Sequence, residues 1–297
     1  MHNKTDKIGI ALSGGGLQGF AHIGAIKALE ELNVNIDYIS GTSTGSIIAS
    51  LYAMGYTPDE IEKICDSNYK KILKLKKKVI LKLVWNLLLH KETRVEGIID
   101  GKIIEDFINR YAQKKAVDII TDIKNKKIAI TTVDTKSMKE CIFISDKINQ
   151  KDEEINYIED INIGTAVRSS MAFPAIFTTP NFKEYNFIDG GTVDNLPTKV
   201  LKDMGAEKII SIRFDLNHYT PSKNLEGVVI RALDIFSYSD VKEGEKLSDI
   251  SIIINNPDTS LVTMDDISKT IKNGYDAVMM QKEKILEILE KQIQNQG

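Results

Sequence analysis

The pentapeptide Gly41-Thr42-Ser43-Thr44-Gly45 sets a serine between two glycines, after the apolar run Asp37-Tyr38-Ile39-Ser40 and before Ile47-Ile48-Ala49-Ser50-Leu51. This is the G-x-S-x-G nucleophile elbow in the context it requires, with a strand ahead of it and a helix behind. Such a turn strains the backbone at the serine and lifts its hydroxyl clear of the sheet, at a helix N-terminus whose dipole favours an anion. Small residues at the flanks, here Gly41 and Gly45, are what the turn needs. An ordinary glycine turn capped by Ser43 or Thr42 fits the same letters, so other residues must decide between them.

A second segment, Ser13-Gly14-Gly15-Gly16-Leu17-Gln18-Gly19, also follows a strand and opens a helix. Consecutive glycines let backbone N–H groups converge on one point, as an oxyanion hole for acyl transfer demands. Gly14, Gly16 and Gly19 also satisfy G-x-G-x-x-G, which makes a dinucleotide-binding protein the competing reading. Its context argues against it: an acidic residue belongs at the end of the next strand, but Asp37 precedes that strand, which runs into the serine turn. No Lys followed by Ser or Thr comes after Gly19, so a P-loop is excluded.

A serine nucleophile needs a base. The histidines are His2, His22, His90 and His218. His22 falls one turn into the first helix and reads as a packed or capping residue. His218 fits the Ser, Asp, His order of α/β-hydrolases, but the serine turn comes earlier in the chain than that fold places it. Asp189-Gly190-Gly191 offers a carboxylate at the end of an apolar strand, with glycines that leave the approach open. Alone, an Asp-Gly pair reads as a turn. An aspartate with an ordinary pKa of about 3.9 is a weak base toward a hydroxyl, so the role requires desolvation to raise its basicity.

In that order, the glycine-rich Ser13 to Gly19, the elbow Gly41 to Gly45, and Asp189-Gly190-Gly191 with Asn195-Leu196-Pro197 resemble the patatin-like phospholipase family. The stretch Arg168-Ser169-Ser170-Met171-Ala172-Phe173-Pro174 also looks like the family's segment between elbow and aspartate. The resemblance covers roughly Lys7 to Phe214. It implies an α/β fold with a mainly parallel central sheet flanked by helices in three layers, α/β/α. It also implies lipid acyl-ester hydrolysis by a Ser–Asp dyad without a cofactor. Carried over by position, Ser43 is the nucleophile and Asp189 the general base. The backbone amides of Gly14, Gly15, Gly16 and Leu17 form the oxyanion hole, with Gly41, Gly45, Gly190 and Gly191 in support. Gln18 stands where the family usually carries Arg or Lys.

The elements that must hold these residues are legible in outline. Lys7 to Leu12 and Tyr38 to Gly41 read as strands, and Leu17 to Leu32 and Ser43 to Met54 as the helices that follow them, so strand, glycine turn and helix occur twice and imply a parallel sheet. Further strands are expected at Lys127 to Val133, Glu140 to Ser145, Tyr185 to Ile188, Lys208 to Phe214 and Ser251 to Ile254. Helices are expected at Ile161 to Ser170, Thr198 to Met204, Leu225 to Tyr238 and Ile267 to Gln292.

The 297 residues hold 39 Lys and Arg against 42 Asp and Glu, a net charge of −3 that lacks the basic excess of a nucleic-acid binder. No Pro/Gly/Ser-rich linker divides the chain, which reads as one hydrolase domain with a Lys-rich helical insertion at 67–91 and a C-terminal helical extension at 222–297. Cys65 and Cys141 match no disulfide framework or zinc spacing, and neither calcium-loop nor zinc-site spacing occurs among the acidic residues and histidines, so no metal is expected. The N-terminus shows no signal-peptide pattern, which makes cytoplasm the expected location. Oligomeric state is left open.

From Ser67 to Lys91 there is no acidic residue but there are eight lysines. Lys71, Lys74, Lys78 and Lys82 form one stripe at helical spacing, with Trp85 and several aliphatic residues across the remaining faces. The composition suits a helix lying on anionic lipid or a lid over the site, and a solvated lysine face fits equally. A non-catalytic protein bound to a membrane surface is the third functional reading.

Overall fold

A computed structural model describes residues 7–68, 97–149, 151–215, 237–256 and 266–294, with 231, 235 and 264. The stripe Lys71, Lys74, Lys78, Lys82 and Trp85, like His2, His90 and His218, lies outside the described residues. In chain order the strands are β1 (Ile8–Leu12), β2 (Ile36–Thr42), β3 (Gly97–Ile99), β4 (Lys127–Asp134), β5 (Glu140–Ile144), β6 (Asn156–Ile158), β7 (Ala175–Phe177), β8 (Asn181–Phe182), β9 (Tyr185–Asp189), β10 (Lys208–Phe214) and β11 (Ile250–Ile254). The helices are α1 (Ala21–Glu31), α2 (Thr44–Ala53), α3 (58–68), α4 (Lys102–Lys114), α5 (Ile163–Ser170), α6 (Thr198–Met204), α7 (Tyr238–Leu247), α8 (Ile267–Met279) and α9 (Lys282–Gln294).

The main sheet runs β11-β10-β1-β2-β4-β5-β6. Strands β11, β10, β1, β2 and β4 run parallel to one another, and a helix follows each of β1, β2 and β10 and returns the chain to the same edge. β5 turns back from β4 as an antiparallel hairpin. The expected mainly parallel α/β architecture is therefore the observed one. β11 falls inside the 222–297 stretch read as a helical extension, yet it pairs with β10 and belongs to the central sheet.

Both faces of the sheet are covered, so its strands carry almost unbroken apolar runs. β1, Ile-Gly-Ile-Ala-Leu, is buried along its whole length. Ile8, Ile10 and Leu12 join Ile128, Ile130, Ile210 and Ile212 in the larger core beneath α1, α2, α4 and α5. The opposite face carries the small Ala11 and Ala129, which let α6 approach with Val200, Leu201 and Met204.

Local differences from the sequence reading have identifiable causes. The helix expected from Leu17 begins as a 3-10 turn, Gly16–Phe20, because Gly16 takes a positive φ of 57° before α1 can start. The helix expected over Ile267 to Gln292 is two helices separated at Met280 and Gln281. The expected Leu225–Tyr238 helix falls mostly outside the described residues, and α7 begins where it was to end. α4 was missed although Ile104, Ile108 and Ala112 repeat at four-residue spacing on its buried face. Among the described residues no helix is long and apolar enough to cross a membrane.

The crossing of α1 and α8 rests on two glycines. A Cβ at Gly24 would collide with the Ile271 carbonyl, and one at Gly274 with the Ala21 carbonyl. Backbone cannot yield as a flexible side chain does, so the helices would have to separate. Gly24→Ala should lower the unfolding free energy by about 3 kcal/mol, read from a urea titration. An unchanged midpoint would show that the helices do not meet at this distance.

Candidate active site

The sheet register brings Ser43 and Asp189 together. Thr42, the last residue of β2, pairs with Thr131 of β4. The next residue of β4, Thr132, pairs with Asp189, the last residue of the antiparallel β9. β5 occupies the other edge of β4 at the same residues, so β9 must enter on the edge that β2 has just left. Two strands running in opposite directions thus meet end to end on one edge of β4, one leading into Ser43 and the other ending at Asp189.

Ser43 has φ 51° and ψ −123°, a left-handed conformation unusual for a residue with a Cβ. Tight packing of backbone on backbone holds it there. A Cβ at Gly41 would lie 2.6 Å from the Gly45 carbonyl, and one at Gly45 would strike the Leu12 carbonyl, so the first turn of α2 sits directly against the exit of β1. The Ser43 N–H donates to the buried Ser170 hydroxyl at the end of α5, 2.9 Å away. The Thr42 hydroxyl donates to the Asp194 carbonyl (2.9 Å) and the Ser40 hydroxyl to the Pro197 carbonyl (2.6 Å), which fasten the loop after Asp189 onto β2.

Asp189 is 3% exposed. Its Oδ1 accepts from the Gly191 amide at 2.8 Å, and its backbone N–H donates to the Ala172 carbonyl. Burial pushes its pKa up to about 6, against the opposing pull of the Gly191 amide and the neighbouring Ser43 hydroxyl. Oδ2 makes no hydrogen bond of normal geometry and is free to take a proton. Gly190 packs on the Thr131 backbone, where a Cβ would collide, and Gly191 supplies the amide to Oδ1.

The glycine-rich loop lies against this pair, since a Cβ at Gly14 would come within 3.2 Å of Ser43 Cβ. The Gly14 N–H, expected among the oxyanion donors, already has partners: it donates to Asn195 Oδ1 (3.0 Å) and to the Asn195 carbonyl (3.3 Å). The amides of Gly15, Gly16 and Leu17 have no acceptor among the described residues, and these three residues are only half-buried. They are the unpaired donors at the start of a helical turn, where an anion is favoured.

His22 takes no part as a base. Its ring is fully buried, tilted against Phe214 with centroids 4.9 Å apart, and its Nε2 donates to the Ser13 carbonyl at 2.9 Å. Burial lowers its pKa to about 4, so it is neutral at pH 7 and serves to fix the glycine-rich loop. Ser170 and Asn195 emerge as site residues for which the sequence supplied position in a motif but no role. A hydroxyl, a carboxyl of raised basicity and a neighbouring loop with three unpaired amides are the parts that acyl transfer needs.

A family model described as Patatin-like phospholipase matches residues 10–202. The chain is 26% identical over 208 residues to lysophospholipase NTE1 of Lodderomyces elongisporus, covering 70% of this chain and 12% of that much longer protein. It is 30% identical over 237 residues to an uncharacterized protein of Acanthamoeba polyphaga mimivirus, covering 78% of this chain and 72% of the other. Among solved structures, VipD from Legionella pneumophila aligns over 94% of this chain and 67% of its own, with a TM-score of 0.51 at 16% identity, a likeness of fold.

The buried carboxyl carries a stability cost with a definite sign. Asp189 titrates near 6 in the folded protein and near ~3.9 in an unfolded chain, so the folded state holds its proton to higher pH. Folding is penalised progressively as the pH rises from about 4 to 6, and the full penalty of about 3 kcal/mol stands above pH 7. Asp189→Asn should therefore stabilise the protein by up to that amount at pH 8, with the advantage vanishing by about pH 4. Urea titrations of both proteins across this range measure it, and equal stability at pH 8 would show that the carboxyl is not desolvated.

Proposed function

The chain belongs to the patatin-like phospholipase family, and from that footing we propose that it hydrolyses carboxylic esters of lipids through an acyl-Ser43 intermediate. The observation that carries the proposal is the register of β4, which puts Ser43 and the buried Asp189 against consecutive residues of one strand, with the Ser43 hydroxyl acting on the Asp189 carboxyl. Ser43 Oγ attacks the acyl carbon as its proton passes to Asp189 Oδ2. The oxyanion forms within reach of the Gly15, Gly16 and Leu17 amides, each such donor being worth about 2.7–4 kcal/mol. The ester C–O bond breaks and the leaving alkoxide takes the proton from Asp189. Water then attacks the acyl-enzyme, gives its proton to Asp189, and the fatty acid departs as Ser43 regains a proton.

No histidine is needed for this cycle. A carboxylate titrating near 6 is ionised at neutral pH and still basic enough to share the serine proton in a desolvated site. The lipid substrate also gives the Lys-rich stretch a role. We read Lys71, Lys74, Lys78, Lys82 and Trp85 as contacts with an anionic lipid surface, on the strength of their helical spacing and the lack of acidic residues from Ser67 to Lys91.

Labelling with a fluorophosphonate, alongside hydrolysis of a p-nitrophenyl ester, tests the chemistry. Wild type should label at Ser43, Ser43→Ala should not label, and Asp189→Asn should lose hydrolysis by about 10³-fold or more, while His218→Ala keeps both. The rate should fall on the acid side with an apparent pKa near 6, because a protonated Asp189 cannot accept the serine proton. Folded wild type that neither labels nor turns over would return the chain to the binding-protein readings. In a vesicle flotation assay, replacing the four lysines by glutamine should reduce binding to anionic liposomes and leave ester hydrolysis in solution unchanged. Equal flotation would remove the surface-contact reading.

A further inference from the structure

Asn195 lies in the loop after Asp189 and reaches the glycine-rich loop across the site. Its side-chain oxygen and its main-chain oxygen both accept from the Gly14 N–H, at 3.0 and 3.3 Å. An N–H group only donates, so Gly14 fixes which end of the carboxamide is oxygen. A Cβ at Gly14 would lie 2.5 Å from that oxygen and 3.2 Å from Ser43 Cβ. A Cβ at Gly191 would lie 3.1 Å from both Asn195 Oδ1 and Asp189 Oδ1. The carboxamide therefore occupies the point where the elbow, the aspartate loop and the glycine-rich loop meet.

Its position determines how the next three amides face. Ser13 is held from both sides, its N–H by the Ile212 carbonyl and its carbonyl by His22 Nε2. Gly14 is held by Asn195, and the amides of Gly15, Gly16 and Leu17 have no acceptor among the described residues. The last fixed point before those amides is thus the Asn195 carboxamide. Donors that stabilise charge in a transition state act only when held close to the productive geometry, and a displacement of about 1 Å costs up to about 10²-fold in rate.

We propose that Asn195 is a positioning residue for ester hydrolysis: its side-chain oxygen holds the Gly14 amide and so aims the Gly15, Gly16 and Leu17 amides at the carbonyl attacked by Ser43. The inference rests on the acyl-Ser43 reading above. Asn195 touches no reacting atom and acts through the loop. Its neutral carboxamide also leaves Asp189 free of a like charge. The groups that act on the Asp189 carboxyl are the Gly191 amide and the Ser43 hydroxyl, with no charged side chain among the described residues.

Two variants test it. Asn195→Ala removes the side-chain acceptor and should lower kcat by about ten- to a hundredfold with KM and the melting temperature unchanged. Affinity for a trifluoromethyl ketone, which forms the tetrahedral adduct, should weaken in step with kcat/KM, whereas a non-cleavable ether analogue should bind as before. Asn195→Asp keeps an acceptor for Gly14 but sets a carboxylate beside Asp189, so the acid limb of the rate or labelling profile should move up by about 0.5 pH or more. The alanine variant reacting within twofold of wild type, or the aspartate variant with an unmoved limb, overturns the assignment. If the alanine variant does not fold, the limb of the aspartate variant decides alone. Wild type that fails to label at Ser43 overturns the hydrolase reading and this inference with it. Labelled wild type with an unaffected alanine variant overturns the inference only.

Discussion

One edge of β4 serves two strands in succession, and the rest of the site depends on that handover. β2 holds the edge through Thr131 and then leaves; β9 arrives from the opposite direction and holds it from Thr132 onward. A parallel strand that ends early exposes backbone hydrogen-bonding groups on its neighbour, which must be satisfied. β9 satisfies them, and in doing so it brings its last residue to the turn that β2 has begun. The separation of serine and aspartate is then set by the spacing of consecutive residues along β4, a rigid element, and not by a flexible loop. The left-handed backbone at Ser43 is a local strain, sustained because Gly41, Gly45 and the β1 exit leave the chain no room to relax.

Around this junction, burial acts on two titratable groups with opposite consequences. Asp189 loses solvation as an anion and becomes a better base. His22 loses solvation as a cation and becomes an inert neutral donor that anchors the Ser13 carbonyl. The same low dielectric therefore raises the basicity of one group and lowers that of the other, the difference lying in which charge state each would carry. Asp189 destabilises the fold at the pH where it is ionised, the state in which the proposed base would act, a trade between stability and function common to polar groups in desolvated surroundings.

The family match ends at residue 202, yet the site extends beyond it. β10 lies after that boundary, and its Ile212 carbonyl accepts the Ser13 N–H while the Phe214 ring lies over Gly15 and against His22. Any side chain at Gly15 would meet that ring. The glycine-rich loop is thus seated from outside the matched segment. β11 and α8 complete the sheet edge and the layer over α1, so they support the loop at one remove.

The alternation of strands and helices, the parallel sheet and the three motifs in order are all legible along the chain. Each is a property of near neighbours along the chain. Apolar runs declare β1, β4 and β10, and glycine spacing declares the elbow, because the close contacts that hold Ser43 in its strained backbone need glycine at both ends of one pentapeptide. α4 carried a readable four-residue repeat and was missed, while β6, β7 and β8 are too short for a periodic signal. Which amides are free and how basic the aspartate is follow only from the folded structure. Gly14 belongs to the glycine motif as fully as Gly15 does, yet Asn195, distant in sequence, consumes its N–H. Hydrogen-bond partnership and desolvation are set by residues that folding brings together, and no spacing along the chain encodes them.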